Sequence, residues 1–297
     1  MEFVCVCVLN YNNGTGTVTC LKSILNQSFL NFRVIIVDNC STDDSVEIIT
    51  GFLHEHDSTI NETNKEPKVV IIKAAKNAGY AAGNNIGIRY AKEAGCFSNI
   101  LILNNDTELC PDFLKELVLK FRSEKIHHKT DRIAIGAKET DQDGKIRNKG
   151  FHYLNIPTGL VFNFPLFPSF RYIVGSCIFL PVGTPLMDDS YFLYYDDIAF
   201  TRILKKDHYY LTCLSSLSYK HEMGGTTKKS SQLHRIIFQS MKIFYLKNYP
   251  FLFPLVVLLR FLLNIVLGRP RIAADLLKIS LFDLGKIVAV VTFKIPS

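Results

Sequence analysis

The chain has 297 residues, enough for a full hydrophobic core in one large domain or in one domain with an appendage, and its apolar content is that of a globular protein. Its net charge of +7 is unevenly placed: from Lys228 onward eleven Lys or Arg face two Asp or Glu, which leaves residues 1–227 at −2. That division argues against a nucleic-acid-binding main domain and for an anionic surface meeting the tail.

Eight cysteines (Cys5, Cys7, Cys20, Cys40, Cys96, Cys110, Cys177 and Cys213) include no C-x-x-C pair, and most sit in apolar runs. They fit buried reduced thiols of a cytosolic protein better than a disulfide framework or a zinc site. Phe3 to Leu9 reads as a buried strand. It has neither a charged leader nor a small-residue cleavage site, so no signal peptide is expected.

Asn10-Tyr11-Asn12-Asn13-Gly14 forms the loop after this strand, and a helix follows from about Thr17. Phe32 to Val37 is a second buried strand, ending in Asp38-Asn39-Cys40-Ser41-Thr42-Asp43-Asp44. Ser41 or Thr42 can cap the next helix, whose first turn is acidic. Asn61 to Lys68 is a polar connection and Val69 to Ile72 a third strand. Lys76-Asn77-Ala78-Gly79-Tyr80-Ala81-Ala82-Gly83-Asn84-Asn85 opens a helix running to about Ala94, with small residues that let backbone N–H groups approach a phosphate. Asn99 to Leu103 is a fourth strand that ends abruptly in Asn104-Asn105-Asp106-Thr107. Pro111 starts a helix through Phe121, and Ile133 to Ala137 is a fifth strand.

Strands alternating with helices predict βαβ units and a mostly parallel sheet. Each polar cluster, after Leu9, Val37, Ile72 and Leu103, lies at a strand's carboxyl end. One such cluster is readily a plain turn, but four on one edge point to a composite site.

The segment from Thr140 to Pro168 is turn-rich, with many Phe and Tyr, and shows no clear order of elements. Tyr172 to Leu180 reads as a strand containing Gly175-Ser176-Cys177. Asp188 to Asp197 leads into a helix from Ile198 to Lys206, and Tyr209 to Leu214 is a further strand. The adjacent acids Asp196 and Asp197 have two readings: helix N-terminal acids stabilised by the dipole, or a general base beside a cleft. His221, before Gly224-Gly225, can ligate a metal or contact phosphate, whereas His54, His56, His127, His128 and His152 read as structural. Gly14-Thr15-Gly16 lacks the third glycine of a dinucleotide fingerprint, because position 19 is Thr.

In order along the chain stand Leu9-Asn10-Tyr11-Asn12, Val37-Asp38-Asn39-Cys40-Ser41-Thr42-Asp43, Asn77 to Asn85, Leu103-Asn104-Asn105-Asp106-Thr107, Phe192-Leu193-Tyr194-Tyr195-Asp196-Asp197 and His221-Glu222-Met223-Gly224-Gly225. Over residues 3 to 227 this set resembles family-2 glycosyltransferases, most nearly the bacterial rhamnosyltransferase-type enzymes of surface polysaccharide assembly. Each motif alone is weak; six in the right order are specific.

The resemblance implies a GT-A α/β fold and inverting transfer of a sugar from a nucleotide-diphosphate donor to a lipid-linked or saccharide acceptor, as in O-antigen synthesis. It places Tyr11 and Asp38 near the donor's base and Asn77, Gly79 and Asn84 near its ribose and diphosphate. Asn104-Asn105-Asp106 matches the family's metal-binding D-x-D triplet with Asn in the first place. Asp106 would ligate Mg2+ or Mn2+, with His221 reaching metal or diphosphate. Asp197 would be the base, following the acidic Asp196. Two departures stand out: Asn104 weakens the anionic metal site, and Ala199 occupies a position where many members carry another acid.

The expected division is a GT-A domain over residues 1–227 and a basic, apolar helical segment over residues 228–297. Phe251 to Leu267 is strongly apolar, with Pro254 near its start and Arg260 near its middle, and Leu276 to Phe293 is a second apolar stretch broken by charges. Two amphipathic helices lying on anionic lipid are expected, which with the resemblance places the protein at the cytoplasmic face of a bacterial membrane. A helical pair packed on the main domain and a true span stay open as alternatives. Two other functions compete. A nucleotidyltransferase would need basic residues near the first loop, and Asn10 to Gly16 has none. A non-catalytic sugar- or lipid-binding scaffold would draw on Asn104 and Ala199.

Overall fold

A computed structural model describes residues 2–56, 68–222 and 233–281. The first half alternates as its pattern predicts: β1 (Val4–Asn10), α1 (Gly14–Leu25), β2 (Phe32–Asp38), α2 (Ser45–Glu55), β3 (Val69–Lys73), α3 (Tyr80–Ala94) and β4 (Asn99–Asn104). Strands β3, β2, β1 and β4 lie side by side in that order, all parallel. Successive residues serve opposite cores. Val4, Val6 and Val8 pack with Leu21 and Ile24 of α1, while Cys5 and Cys7 pack with Ile88 of α3. A sheet covered on both faces therefore uses apolar residues at every position.

Ser41 and Thr42 do not cap α2. Its N-cap is Asp44, and the two hydroxyls instead bond Asp38 and Asn12, binding the β1 and β2 loops together.

Beyond β4 the sheet is mixed rather than parallel. The short β5 (Thr107–Leu109) precedes α4 (Phe113–His128), β6 (Ile133–Thr140) and β7 (Ile146–Asn148). The turn-rich middle folds into β8 (Phe151–Asn155), β9 (Leu160–Phe162) and β10 (Ser169–Ile173), a separate antiparallel sheet. The single strand expected from Tyr172 to Leu180 breaks at 174–176, and β11 (Cys177–Pro181) runs antiparallel between β4 and β6. Because β11 reverses direction, its start lies opposite Leu103, at the carboxyl edge of β4. After α5 (Asp196–Lys206), β12 (Tyr210–His221) continues past the expected Leu214, pairing first with β6 and then antiparallel with β5. The reversal of β11 brings residues 174–176, and the parallel run of β12 beside β6 brings His221, to the edge where the polar clusters stand.

Among the described residues three α-helices follow where two were expected: α6 (Leu233–Asn248), α7 (Phe253–Val266) and α8 (Pro270–Leu281). Pro254 sits in the first turn of α7, where its missing N–H costs nothing, so it opens the helix rather than interrupting it. Phe238, Phe244 and Val256 from α6 and α7 share a core with Leu154, Tyr172, Tyr195 and Ile198. Among the described residues no helix is long and apolar enough to cross a membrane. The connection at 61–67, Met223-Gly224-Gly225, the expected boundary after residue 227 and the second apolar stretch beyond residue 281 lie outside the described residues.

Candidate active site

The carboxyl ends of β1, β2 and β4 meet in a hydrogen-bonded knot. Asp38, the last residue of β2, is buried. Its Oδ1 accepts from Asn10 Nδ2 at 2.8 Å and from Ser41 Oγ at 2.5 Å, and its Oδ2 accepts from the Ser41 N–H at 3.1 Å. Asn10 Oδ1 accepts in turn from Thr17 Oγ1 at 2.8 Å and from Asn105 Nδ2 at 3.2 Å. Tyr11 lies half-buried in the same loop. Asn77 Oδ1 accepts from Asn39 Nδ2 at 2.9 Å and from the Gly79 N–H at 3.0 Å, which ties the loop before α3 to the end of β2. Asn84 is fully buried within α3, where its Nδ2 donates to Tyr80 O at 3.0 Å.

A second cluster gathers where β12 ends. The β12–β5 register sets His221 opposite Thr107, beside Asp106. His221 Nε2 lies 3.0 Å from Asp106 Oδ1, and its Nδ1 lies 3.0 Å from Glu139 Oε1 on β6. Burial opposes the imidazolium, but hydrogen bonds to Asp106 and Glu139 outweigh it and push its pKa up to about 9. Burial likewise opposes the Glu139 carboxylate, yet His221 and then Asn148 hold it below its ordinary value. Asn104 completes the cluster. Its Oδ1 accepts from Tyr80 Oη at 3.0 Å, and its amide nitrogen is 3.5 Å from His221 Nε2.

Among the described residues no group of three or more His, Cys, Asp or Glu side chains is shaped to hold a metal. One carboxylate and one imidazole nitrogen do fit a divalent ion that takes its other ligands from substrate phosphates. The side chains of Asp106 and His221 are 16% and 9% exposed, so both reach the open side of the sheet edge.

The acid pair stands across from this cluster. Asp196 is the first residue of α5 and is only 6% exposed. Asp197 is half-buried. Its Oδ2 accepts from the Gly175 N–H at 3.3 Å and its Oδ1 from the Ile198 N–H at 2.8 Å. Burial raises the pKa of both acids. The charge of Asp197 raises Asp196 further, while the backbone donors of Ile198 and Gly175 restrain Asp197. Tyr80 links the two sides, because its hydroxyl is 2.8 Å from Gly175 O as well as 3.0 Å from Asn104 Oδ1.

Two consecutive tyrosines precede the acids in left-handed conformation, Tyr194 at φ 66° and Tyr195 at φ 61°. Each costs on the order of 1 kcal/mol. The tail holds them there. Ser240 of α6 donates to Leu193 O at 2.8 Å, and the Tyr195 ring packs against Phe244 at 5.4 Å and donates its hydroxyl to Gly159 O.

The profile described as glycosyl transferase family 2 matches residues 5–180, more than half of the chain. The chain belongs to glycosyl transferase family 2. Family relatives include the glycosyltransferase GlyG of Streptococcus pneumoniae serotype 4, 30% identical over 135 residues that make up 46% of this chain and 38% of GlyG. The low-salt glycan biosynthesis hexosyltransferase Agl10 of Haloferax volcanii is 27% identical over 146 residues, 43% of this chain and 44% of Agl10. The chain thus spans less than half the length of either relative. Two solved structures share the fold. Mannosyltransferase PcManGT from Pyrobaculum calidifontis, in complex with GDP-Man and Mn2+, has TM-score 0.55 and 14% identity, over 98% of this chain and 81% of that one. S. aureus TarS 1–349, in complex with UDP-GlcNAc, has TM-score 0.54 and 14% identity, over 87% of this chain and 71% of that one. These likenesses establish a mixed α/β GT-A architecture and a glycosyltransferase domain.

Within that family fold, Tyr80, Gly175 and Glu139 are the site's structural residues that sequence reading passed over. Tyr80 and Gly175 stood inside recognised motifs. Glu139 had no local signal, since Ala137-Lys138-Glu139-Thr140-Asp141 reads as a strand running out into solvent.

Proposed function

We propose that this protein is an inverting, metal-assisted sugar transferase that uses a nucleotide-diphosphate donor. The observation that carries the proposal is the facing pair of clusters: Asp106 with His221 on one side, Asp197 seated on Gly175 on the other, and Tyr80 bridging them. An acceptor hydroxyl attacks the anomeric carbon from the Asp197 side. The bond from that carbon to the diphosphate breaks, and the hydroxyl proton passes to Asp197. A divalent cation held by Asp106 and His221 would supply positive charge to the departing diphosphate. Attack opposite to departure inverts the anomeric centre.

Fold neighbours solved in complex with UDP-GlcNAc, and with GDP-Man and Mn2+, support a nucleotide-sugar donor and a divalent metal. Rhamnose as the sugar rests on the motif resemblance alone, as do the lipid-linked or saccharide acceptor and the link to surface polysaccharide. The test is release of nucleotide diphosphate from a panel of UDP-, dTDP- and GDP-sugars with Mg2+ or Mn2+. Release of one nucleotide, abolished by Asp106→Ala, supports the proposal. No release and no rise in thermal stability with any donor would return the protein to the scaffold reading.

Asn104→Asp should tighten Mn2+ binding on the order of tenfold, because a second carboxylate joins Asp106 and still accepts from Tyr80. Titration calorimetry with Mn2+ and the released nucleotide measures this. Unchanged or weaker binding would place the ion away from position 104.

The tail is proposed to dock on anionic lipid at the cytoplasmic face of the membrane. Leu255, Leu258, Leu262 and Ile265 line one face of α7 and are 43–52% exposed, and Phe251 just before it is 95% exposed. Arg269, Arg271 and Lys278 stand exposed on the adjoining segment. Co-sedimentation with vesicles rich in phosphatidylglycerol should fall several-fold for a Leu258→Glu, Leu262→Glu variant. Equal sedimentation of variant and wild type would remove α7 from any lipid contact.

A further inference from the structure

We propose that Glu139 is a positioning residue for metal binding, acting through His221: it fixes the imidazole with its Nδ1 hydrogen on the carboxylate and its Nε2 toward Asp106. The inference rests on the reading of Asp106 and His221 as metal ligands. Glu139 itself touches neither Asp106 nor the open side of the site. It is 2% exposed, and both of its oxygens are engaged.

Oε1 meets His221 Nδ1 at 3.0 Å. Oε2 accepts from Asn148 Nδ2 and from Tyr219 Oη, the latter at 3.3 Å. Asn148 is held in turn, since its Oδ1 accepts from the Gly150 N–H at 2.7 Å. Tyr219 is held by a 2.6 Å hydrogen bond with Ser176. The carboxylate thus has one free orientation, and it is aimed at the ring.

The backbone shows the same provision. Along most of β12 the pairing with β6 runs in step, Tyr210 opposite Ile133 and Leu214 opposite Ala137. Then Ser218 stands opposite Lys138, so residues 215–217 are extra on β12. An odd number of extra residues exchanges the two faces of a strand. Without the irregularity the residues of β12 that follow would meet β6 in another register and on the other face. With it, Tyr219 pairs with Glu139, and His221, two residues on, reaches the same carboxylate.

A neutral imidazole can offer a metal only the nitrogen that carries no hydrogen, and a partner on the other nitrogen decides which one that is. A carboxylate on Nδ1 selects Nε2 for the ion and makes it more basic. Removal of such a partner typically weakens metal binding about 10- to 100-fold.

The experiment compares Mn2+ binding in the presence of the released nucleoside diphosphate, by electron paramagnetic resonance of free Mn2+, for wild type, Glu139→Gln, His221→Ala and the two combined. A fifth variant carries Glu139→Gln with Asn148→Asp. This exchange keeps the buried charge and the hydrogen bond between positions 139 and 148 but moves the charge one partner away from the imidazole. Nitrogen-15 spectra of the histidines, recorded at alkaline pH where the imidazole is neutral, report the tautomer. In Glu139→Gln the amide nitrogen faces the imidazole, because Asn148 and Tyr219 donate to the oxygen. This variant should bind Mn2+ at least about tenfold more weakly, with the tautomer at His221 no longer fixed. The exchange variant turns that nitrogen to position 148 and leaves an oxygen on Nδ1, so it should keep the tautomer and recover part of the affinity. Glu139→Gln should add nothing once His221 is Ala. Wild-type affinity in Glu139→Gln would overturn the proposal, as would an exchange variant that binds no better than Glu139→Gln, or a further loss from Glu139→Gln in the His221→Ala background. Wild-type affinity in His221→Ala would instead show that His221 is not a ligand, and the underlying metal assignment would fall with the proposal.

Discussion

Asp197→Asn is expected to lower sugar transfer by about 10³-fold while leaving the fold intact. The amide keeps the size of the carboxyl, and its one oxygen can still accept from the Ile198 N–H, at the cost of the longer bond from the Gly175 N–H. What it loses is a basic oxygen on the half-open side of α5. Asp196→Asn should cost less than about tenfold, because Asp196 is buried and meets the acceptor only through its neighbour's charge. A reversed order of the two effects would exchange the roles assigned here. Transfer untouched by either would leave the site without a base and would favour the scaffold reading.

The same acids set a pH dependence with a definite sign. Burial raises both carboxyls above the ordinary value near 4 for Asp. The base works only when ionised, so the rate should climb with pH and level off above the ordinary carboxylate range. Asp196→Asn should leave that limb nearly in place, because the more strongly raised Asp196 is still protonated where Asp197 ionises. Stability runs the other way. In the window between the ordinary and the raised pKa the folded state binds more protons than the unfolded chain, so stability falls as pH rises through it. Asp196→Asn should flatten this fall, at about 1.4 kcal/mol for each pKa unit removed. Thermal melts between pH 4 and 9 read it directly, and a wild-type stability that rises across that window would contradict burial as the cause.

The fold was legible where sequence and structure share a period. The runs at Phe3, Phe32 and Asn99 became β1, β2 and β4 because a strand buried on both faces needs no alternation, and these three ended at Asn or Asp, while the half-buried run at Val69 became β3 and ended at Lys73. What the sequence did not disclose was pairing. Nothing local says that β11 reverses beside β4, or that β12 slips by three residues and ends at Asp106. Glu139 escaped notice for that reason: its partners His221, Asn148 and Tyr219 come from elsewhere in the chain, and only the β6–β12 register joins them. The packing of the tail on the domain was not legible for a related cause. An apolar face reads alike whether it covers protein or lipid, and α6 and α7 do cover protein with part of theirs. Ala199, a departure from the family pattern, is buried in this shared core, where an acid would lose its hydration with no partner provided.

Gly79→Ala is expected to disable both the fold of the donor loop and its register against the acid pair. Gly79 has φ 95° and ψ 179°, a combination that residues with a side chain essentially do not adopt, and forcing it costs roughly 1–3 kcal/mol. Sterics add to this. A Cβ built there would stand 2.3 Å from Phe192 O and 2.6 Å from Phe192 Cα. Both are backbone atoms, and the same Phe192 carbonyl accepts the first N–H of α3, Tyr80 N, at 2.7 Å. Phe192 therefore cannot retreat without breaking that bond and pulling on the strained Tyr194-Tyr195 pair that leads to Asp197. Overpacking of this kind adds about 1–3 kcal/mol, so the total is about 4 kcal/mol, or a fall in Tm of roughly 10 °C. Gly95→Ala is the matched control. It shares a positive φ of 67°, but its Cβ would meet nothing within 4 Å, and it should cost only about 1 kcal/mol. If the two variants melt alike, contact with Phe192 contributes nothing and the two loops are not coupled through it. If Gly79→Ala alone melts early and also loses donor binding, the glycine is the point at which the donor loop and the base loop are held to one geometry. Loss of the Asn77 hydrogen bond to the Gly79 N–H would then be the local step by which nucleotide affinity falls.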